Sequence, residues 1–530
     1  MKLIEALSIM SKSSPFAVST DRTSESLLQT YKDYIYIKTD IEKDFKKELK
    51  LAKSHEIIFL CGSSGDGKSE ILTRYNREYQ VTRDFHLDAT HSFNPSQTAI
   101  QALDERFLAF KANDKPLIVG INIGMLGNYA EEGNAQHQDI KNAIKAFLEQ
   151  RREDIPENFK FLDFEQYPKF KFQQEGNSSE FADKFIKKLT EPSLDNPFYA
   201  LYQNEVEARG HSTLTANFAL LGMESVQKAV IRLLLKARLV KDQFLTARAL
   251  LDFVFQLLAM KGYLFDNLFL GGDNELLSRI QSFDPSNVHT KKVDEFILQF
   301  GLGIEDEDFI DFKKKVIELG IFDVKTAASY LRLFYLLKGE TAFDNHYVTE
   351  LEEEFDDHLI DRYADIWLTH REFDGSGKQK KALNKFYKET LIAAVHRYCN
   401  RNAPALDKDA YFISEYNGYK TAVELEVKPD FSAIKHNGLN KIGFFEAYLQ
   451  VEDCGLLPIP VSVNLLELLV KINQGYRPNK HDKNAVLLLD EVVEQIVEVA
   501  NEKETLFILK DDKRFKITNE DDEYFEVSGI

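Results

Sequence analysis

Residues 55–80 set the strongest limit on the fold. An apolar run, H-E-I-I-F-L-C, passes into Gly62-Ser63-Ser64-Gly65-Asp66-Gly67-Lys68-Ser69, and then into a segment carrying Ile71, Leu72 and Tyr75 at helical spacing. An unbroken apolar run of this length fits a strand buried on both faces, which requires a largely parallel sheet with helices on either side. The glycines let the backbone turn its N–H groups inward, and the next helix presents its positive end at the same point. The spacing G-x-x-x-x-G-K-S therefore predicts a phosphate cradle. Ser63, Ser64, Gly65 and Asp66 lie between Gly62 and Gly67, Lys68 reaches the outer phosphates, and the Ser69 hydroxyl completes part of a Mg²⁺ shell. The competing reading, a Gly/Ser-rich surface turn, does not explain why a core strand and an amphipathic helix flank it. The expected ligands are ATP and Mg²⁺.

Short apolar runs at Ile57 to Cys61, Phe85 to Leu87, Leu117 to Ile123 and Phe159 to Phe164 alternate with helical patterns, as in an α/β domain. The expected fold is an α/β P-loop NTPase core with a mostly parallel sheet, followed by a helical lid and middle region and a C-terminal α+β domain. Residues 1–50 read as a helical N-terminal extension, with Ile41, Phe45 and Leu49 on one face. Residues 51–195 form the nucleotide-binding domain, 196–302 the lid and 303–400 the helical middle domain, with a boundary placed at Gly303 to Asp308. Residues 401–530 form the α+β domain, assigned to partner or DNA engagement. There, Asn417-Gly418 predicts a hairpin turn, Asp511-Asp512 a second, and Leu465 to Asn473 a helix.

Turnover needs more than a cradle. Asp88 closes F-H-L-D and is the candidate catalytic acid and second Mg²⁺ ligand, where a strand-end carboxylate faces the nucleotide. Its other reading is an Asx turn leading into A-T-H-S-F-N-P. Asn122, at the end of L-I-V-G-I-N, either orients water near the terminal phosphate or caps the turn before Gly124. Arg248, in F-L-T-A-R-A-L-L, either approaches phosphate from a closing lid or is an ordinary surface arginine. Asp104 and Glu105 follow a helix start read at Asn94-Pro95 and belong to the edge of that helix. Asp490-Glu491 imitates an acidic strand end, but Leu488, Val492, Ile496 and Val499 repeat at helical spacing, so the pair is a decoy.

Composition narrows the function classes. Eighty-six acids against 67 bases give a net charge of −19, which repels a polyanion at long range and confines any nucleic-acid contact to a local patch or a partner. The 3 cysteines, Cys61, Cys399 and Cys454, lack metal-ligand spacing, and no apolar run has spanning length. A cytoplasmic protein without a membrane segment is expected. The carboxylate-rich stretches Glu350 to Asp361 and Asp521 to Glu526 read as hydrated faces, and no nuclease metal cluster follows from spacing.

Four segments together carry a family resemblance: M-K-L-I-E-A-L-S-I-M-S-K-S-S-P-F-A-V-S-T at the N-terminus, C-G-S-S-G-D-G-K-S, H-L-D-A-T-H-S-F-N-P, and K-P-L-I-V-G-I-N-I-G-M-L-G-N-Y. With the C-terminal E-D-D-E-Y-F-E-V-S-G, the chain resembles the DptF component of DNA phosphorothioation-dependent (Dnd-type) restriction systems. The resemblance implies a bacterial defence role, exercised with DptG-like and DptH-like subunits against DNA lacking the backbone sulfur modification, with DNA reached through the complex. It implies P-loop ATPase roles for Gly62, Gly67, Lys68 and Ser69; the acidic half departs from a plain h-h-h-h-D-E strand. It does not make this subunit the cutter. Two other functions fit the same residues: a P-loop signalling ATPase of a defence pathway that handles no DNA, and an interaction scaffold that keeps ATP for stability.

Overall fold

The computed structural model describes residues 1–530 except 15–26, 91–96, 168, 174–175, 242, 244, 356–357, 405, 408, 437–441, 511–512, 522–523 and 530. The chain forms two compact units, 1–171 with 178–356, and 172–177 with 357–530. Residues 303–308, where the sequence places a boundary, lie inside the first unit, and residues 357–400 lie in the second with the C-terminal strands.

In the first unit, the four expected strands, β1 (Ile57–Gly62), β2 (Asp84–His86), β3 (Leu117–Asn122) and β4 (Phe159–Asp163), form one all-parallel sheet in the order β2-β3-β1-β4. Side chains of a strand alternate between faces, and β1 is apolar on both because both faces are covered. Ile57, Phe59 and Cys61 join Leu103, Phe107, Leu126, Tyr129 and Ile144 on one side. Ile58 and Leu60 join Ile41, Phe45, Leu49, Ile71, Leu72 and Tyr75 on the other. The second layer is made by α2 (Asp40–Leu51) and α3 (Lys68–Tyr79), with α1 (Leu27–Ile35) preceding them; the first by α4 (Ala99–Lys111), α5 (Ile123–Glu132) and α6 (Gln138–Leu148). The helical face read at Ile41, Phe45 and Leu49 is thus part of the sheet's cover, so the end of the N-terminal extension is built into the α/β core. The helix start read at Asn94-Pro95 lies outside the described residues; α4 begins at Ala99, where Thr98 and Gln101 form a reciprocal capping box.

Beyond the sheet the first unit is helical, including Glu224–Val240, α7 (Ala247–Ala259), Lys291–Gly301, Glu307–Glu318 and Ala327–Leu336. Inside this region Arg332 donates to Asp284 (3.1 Å from Nε) and Asp266 (2.8 Å), and Ser329 donates to Asp266 (2.9 Å).

The second unit contains an antiparallel sheet of β5 (Ala410–Tyr416), β6 (Tyr419–Glu424), β7 (Thr505–Lys510), β8 (Lys513–Asp521) and β9 (Tyr524–Gly529), ordered β9-β8-β7-β6-β5. The β5-β6 hairpin turns at Asn417 (φ 51°) and Gly418 (φ 78°), two left-handed residues whose twist matches the flanking strands. Asp511 and Asp512, read as the second turn, lie outside the described residues. The expected helix is Val463–Asn473. Asp490 sits within the helix Lys483–Ala500 and accepts a hydrogen bond from Tyr398 Oη (2.8 Å), so the acidic strand-end pattern is helical, as its spacing indicates. Among the described residues no helix is long and apolar enough to cross a membrane.

Candidate functional site

The glycine-rich loop joins the end of β1 to the start of α3 and needs left-handed backbone at Gly65 (φ 86°) and Gly67 (φ 102°). At Gly65 space is also tight: a Cβ would stand 3.2 Å from both Arg248 Cβ and Thr246 Oγ1. The Arg248 N–H donates to the Gly65 carbonyl (3.1 Å), so the loop is seated against the first turn of α7. Around Gly67, by contrast, a Cβ would meet nothing within 4 Å.

Two charged side chains hold the loop from within. The Asp66 carboxylate accepts the Ser63 N–H (2.7 Å) and pairs with Lys169, whose ammonium also donates to the Leu245 carbonyl just ahead of α7. Lys68 Nζ folds back onto the carbonyls of Gly62 (3.0 Å) and Ser63 (2.7 Å). Burial lowers the Lys68 pKa below the ordinary lysine value, against the opposing pull of the Asp66 and Asp88 charges. The spacing of the motif foretells nothing about Lys169 or the Asp66 carboxylate, because their pairing depends on a segment a hundred residues away in sequence.

The sheet then brings the other candidates to the same edge. Asn122 stands opposite Gly62 in the β1-β3 register. The chain leaving β2 continues to pair with β3 through Ala89 N–H to Gly120 O (2.9 Å), which fixes Asp88 at the C-terminal edge of the sheet. Gly120 permits that approach: a Cβ there would lie 2.7 Å from the Leu87 carbonyl oxygen. Asp88 Oδ1 accepts the Thr90 N–H (2.9 Å) and hydroxyl (2.6 Å) in an Asx turn, yet Asp88 lines the same cavity as the loop. Asn122 Oδ1 caps α5 by accepting the Met125 N–H (2.6 Å), and it too lines the cavity. Arg248 is in the first turn of α7, behind the Thr246 cap, and is a third lining residue.

Asp104 is engaged elsewhere, accepting from Tyr129 Oη (2.7 Å) and the Asn134 N–H (3.0 Å), while Glu105 is exposed, in keeping with a helix edge. Cys61, behind the loop, is fully buried and its thiol pKa is raised well above the ordinary value by desolvation, with Asp163 adding to it; this suits packing rather than reactivity.

The cavity holds about 240 Å³ and is lined by both polar and apolar side chains. Lys68, Ser69, Asp88, Asn122 and Arg248 are among the polar ones. Ile9, Met10, Ile35, Ile37, Phe181 and Leu251 are among the apolar ones. A triphosphate with a flat heterocyclic base calls for both, charged donors for the phosphates and apolar walls for the base. The apolar wall was missed in the sequence because Ile9, Met10, Ile35 and Ile37 precede β1. Ser69 and Asp88, the expected ligands of a divalent cation, both line the cavity; among the described residues no cluster of three or more His, Cys, Asp or Glu side chains forms a metal site by itself.

Comparison with protein-family models, curated protein sequences and solved structures finds no match to this chain.

Proposed function

We propose that this chain is the ATP-binding, ATP-hydrolysing component of a bacterial DNA phosphorothioation-dependent restriction complex, acting with DptG-like and DptH-like subunits. One observation carries the nucleotide half: the loop residues Ser64–Ser69, the strand-end residues Asp88 and Asn122, and Arg248 from a helix far along the chain all line a single cavity that apolar side chains also line. The restriction half rests on the sequence resemblance.

In this reading Lys68 exchanges the two loop carbonyls for oxygens of the outer phosphates, a substitution favoured because an ammonium bonds more strongly to an anion than to a neutral carbonyl. The loop N–H groups and the first turn of α3 receive the remaining phosphate oxygens. Ser69 and Asp88 hold Mg²⁺, which supplies charge neutralisation at the phosphates. Asn122 positions water with the amide group left over from its capping bond, and Arg248 offers positive charge from α7. The Asx turn at Asp88 gives the scaffold reading its one specific support, since a carboxylate oxygen already committed to Thr90 is a poorer catalytic group.

Phosphate release by two variants separates these readings. Asp88→Asn is expected to keep nucleotide binding and lose roughly 100-fold or more in turnover, the scale of removing one positioned acid or base, whereas Asp490→Asn, in a helix of the second unit, keeps wild-type turnover. Full activity in Asp88→Asn removes Asp88 from the catalytic role, and absence of phosphate release from the wild-type chain favours the scaffold. Mixing the purified chain with the G-like and H-like subunits on modified and unmodified duplexes tests the restriction half: nucleotide-dependent association and cleavage only in the mixture support it, and failure to associate under any nucleotide condition favours the signalling ATPase.

A further inference from the structure

The second unit carries a charge feature at odds with the rest of this acidic protein. The helix Gly377–Phe386 and the wider turn Tyr387–Ile392 that continues it contain Lys378, Lys380, Lys381, Lys385 and Lys388, with Glu389 the sole acid. All five lysines are exposed, and none is in an ion pair with a described residue. Elsewhere the exposed lysines are commonly paired within their own helix, as Lys228 is with Glu224 (2.7 Å) and Lys471 with Glu467 (2.6 Å).

The order along the helix is regular. Lys378, Lys381 and Lys385 follow at intervals of three and four residues and therefore share one face, and Lys388 comes one turn later. With a rise of about 1.5 Å per residue the row extends roughly 15 Å, with a cation every ~5 Å. The opposite side is anchored by Leu383 and Phe386, both buried, so the helix cannot rotate the row away from solvent. Lys380 lies to one side over the Phe431 ring (5.7 Å). The acids at the ends are Glu372 and Asp374, the latter with its carboxylate bonded to the Ser376 N–H (2.7 Å) and Lys435 nearby, and Glu389, which closes the row.

We propose that this lysine row is a docking face for the phosphate backbone of duplex nucleic acid, bound without regard to sequence. A straight row of cations matches a rod of regularly spaced anions, and lysine acts on phosphate as a point charge without the bidentate geometry that base reading needs. The row presents no large apolar side chain among its lysines, as entry into a bilayer surface demands. The face names the surface through which the proposed restriction subunit touches DNA, and it is independent of the nucleotide site because its test contains no ATP.

Four phosphate contacts predict that log K falls with log[salt] at a slope of about −3.6. The measurement is fluorescence anisotropy of a labelled random-sequence duplex with the full-length chain between about 50 and 200 mM salt. Lys381→Gln with Lys385→Gln should reduce the slope by about 2 and weaken binding at the low-salt end on the order of tenfold or more. Lys325→Gln, at an exposed lysine held by Asp323 in the first unit, should change neither. The substituted side chains are exposed, so folding is preserved, and emission from Trp367, the one tryptophan and a buried residue of the second unit, verifies it. No binding at low salt, a slope unchanged in the double variant, or a loss confined to anionic vesicles or an acidic protein with the duplex slope intact would each overturn the proposal.

Discussion

Lys68→Ala is expected to weaken ATP-Mg²⁺ binding by roughly 30- to 150-fold, the equivalent of about 2–3 kcal/mol for removing a charged hydrogen-bond donor from phosphate. The fold should survive, because among the described residues Lys68 donates to the Gly62 and Ser63 carbonyls alone and it lines a cavity, where water can replace its ammonium. The variant also makes a pH prediction with a fixed sign. Burial lowers the Lys68 pKa in the unliganded protein, whereas bound phosphate favours the ammonium form and raises it. Affinity should therefore be highest while Lys68 is protonated and fall as pH rises through its lowered value, earlier than for an ordinary lysine. Titration calorimetry across the alkaline range measures both effects. Lys68→Ala should lack the alkaline fall as well as the affinity; wild-type affinity in the variant removes Lys68 from the phosphate site and with it the nucleotide reading.

What the sequence revealed and what it concealed divide along the range of the interactions concerned. The four strands of the first sheet were legible because each is a local apolar run, and the turn at Asn417-Gly418 because two adjacent residues with left-handed backbone write it directly. The helix carrying Asp490 was legible for the same reason, a 3.6-residue period overriding a misleading pair of acids. The choice between binding role and capping role for Asp88 and Asn122 was not legible, and the fold shows why: each side chain serves its local turn with one oxygen while its position in the sheet sets it at the cavity. Local grammar and site geometry draw on the same residues. The Asp66–Lys169 pair and the apolar wall from Ile9 to Ile37 were concealed for a different reason, since neither has a pattern until the chain is folded. Domain limits were the least legible, because which unit a helix such as 307–318 or 358–371 joins is decided by contacts distant in sequence rather than by its own residues.

Arg332 illustrates an interaction whose importance no local pattern conveys, and it should be among the costliest residues to remove. It lies in the otherwise apolar helix A-A-S-Y-L-R-L-F-Y-L, with its side chain only 11% exposed, between Asp284 (6%) and Asp266 (21%). Truncating one member of such a group leaves the remaining charges buried without compensation, so Arg332→Met is expected to destabilise the first unit by about 3–5 kcal/mol even though Met fills much of the same volume. The loss should not add to that of its partner. Asp284→Asn alone also breaks the pair, but in the Arg332→Met background it removes an unpaired buried carboxylate, so the double variant should be no less stable than Arg332→Met. The single tryptophan lies in the second unit, which makes fluorescence the wrong probe. Hydrogen exchange of the amides in Ala327–Leu336 reads the effect where it occurs: protection should collapse in Arg332→Met and be at least partly regained on adding Asp284→Asn. Losses in the two single variants that simply sum in the double would show that Arg332 and Asp284 act independently, and that the helix is held by its apolar packing alone.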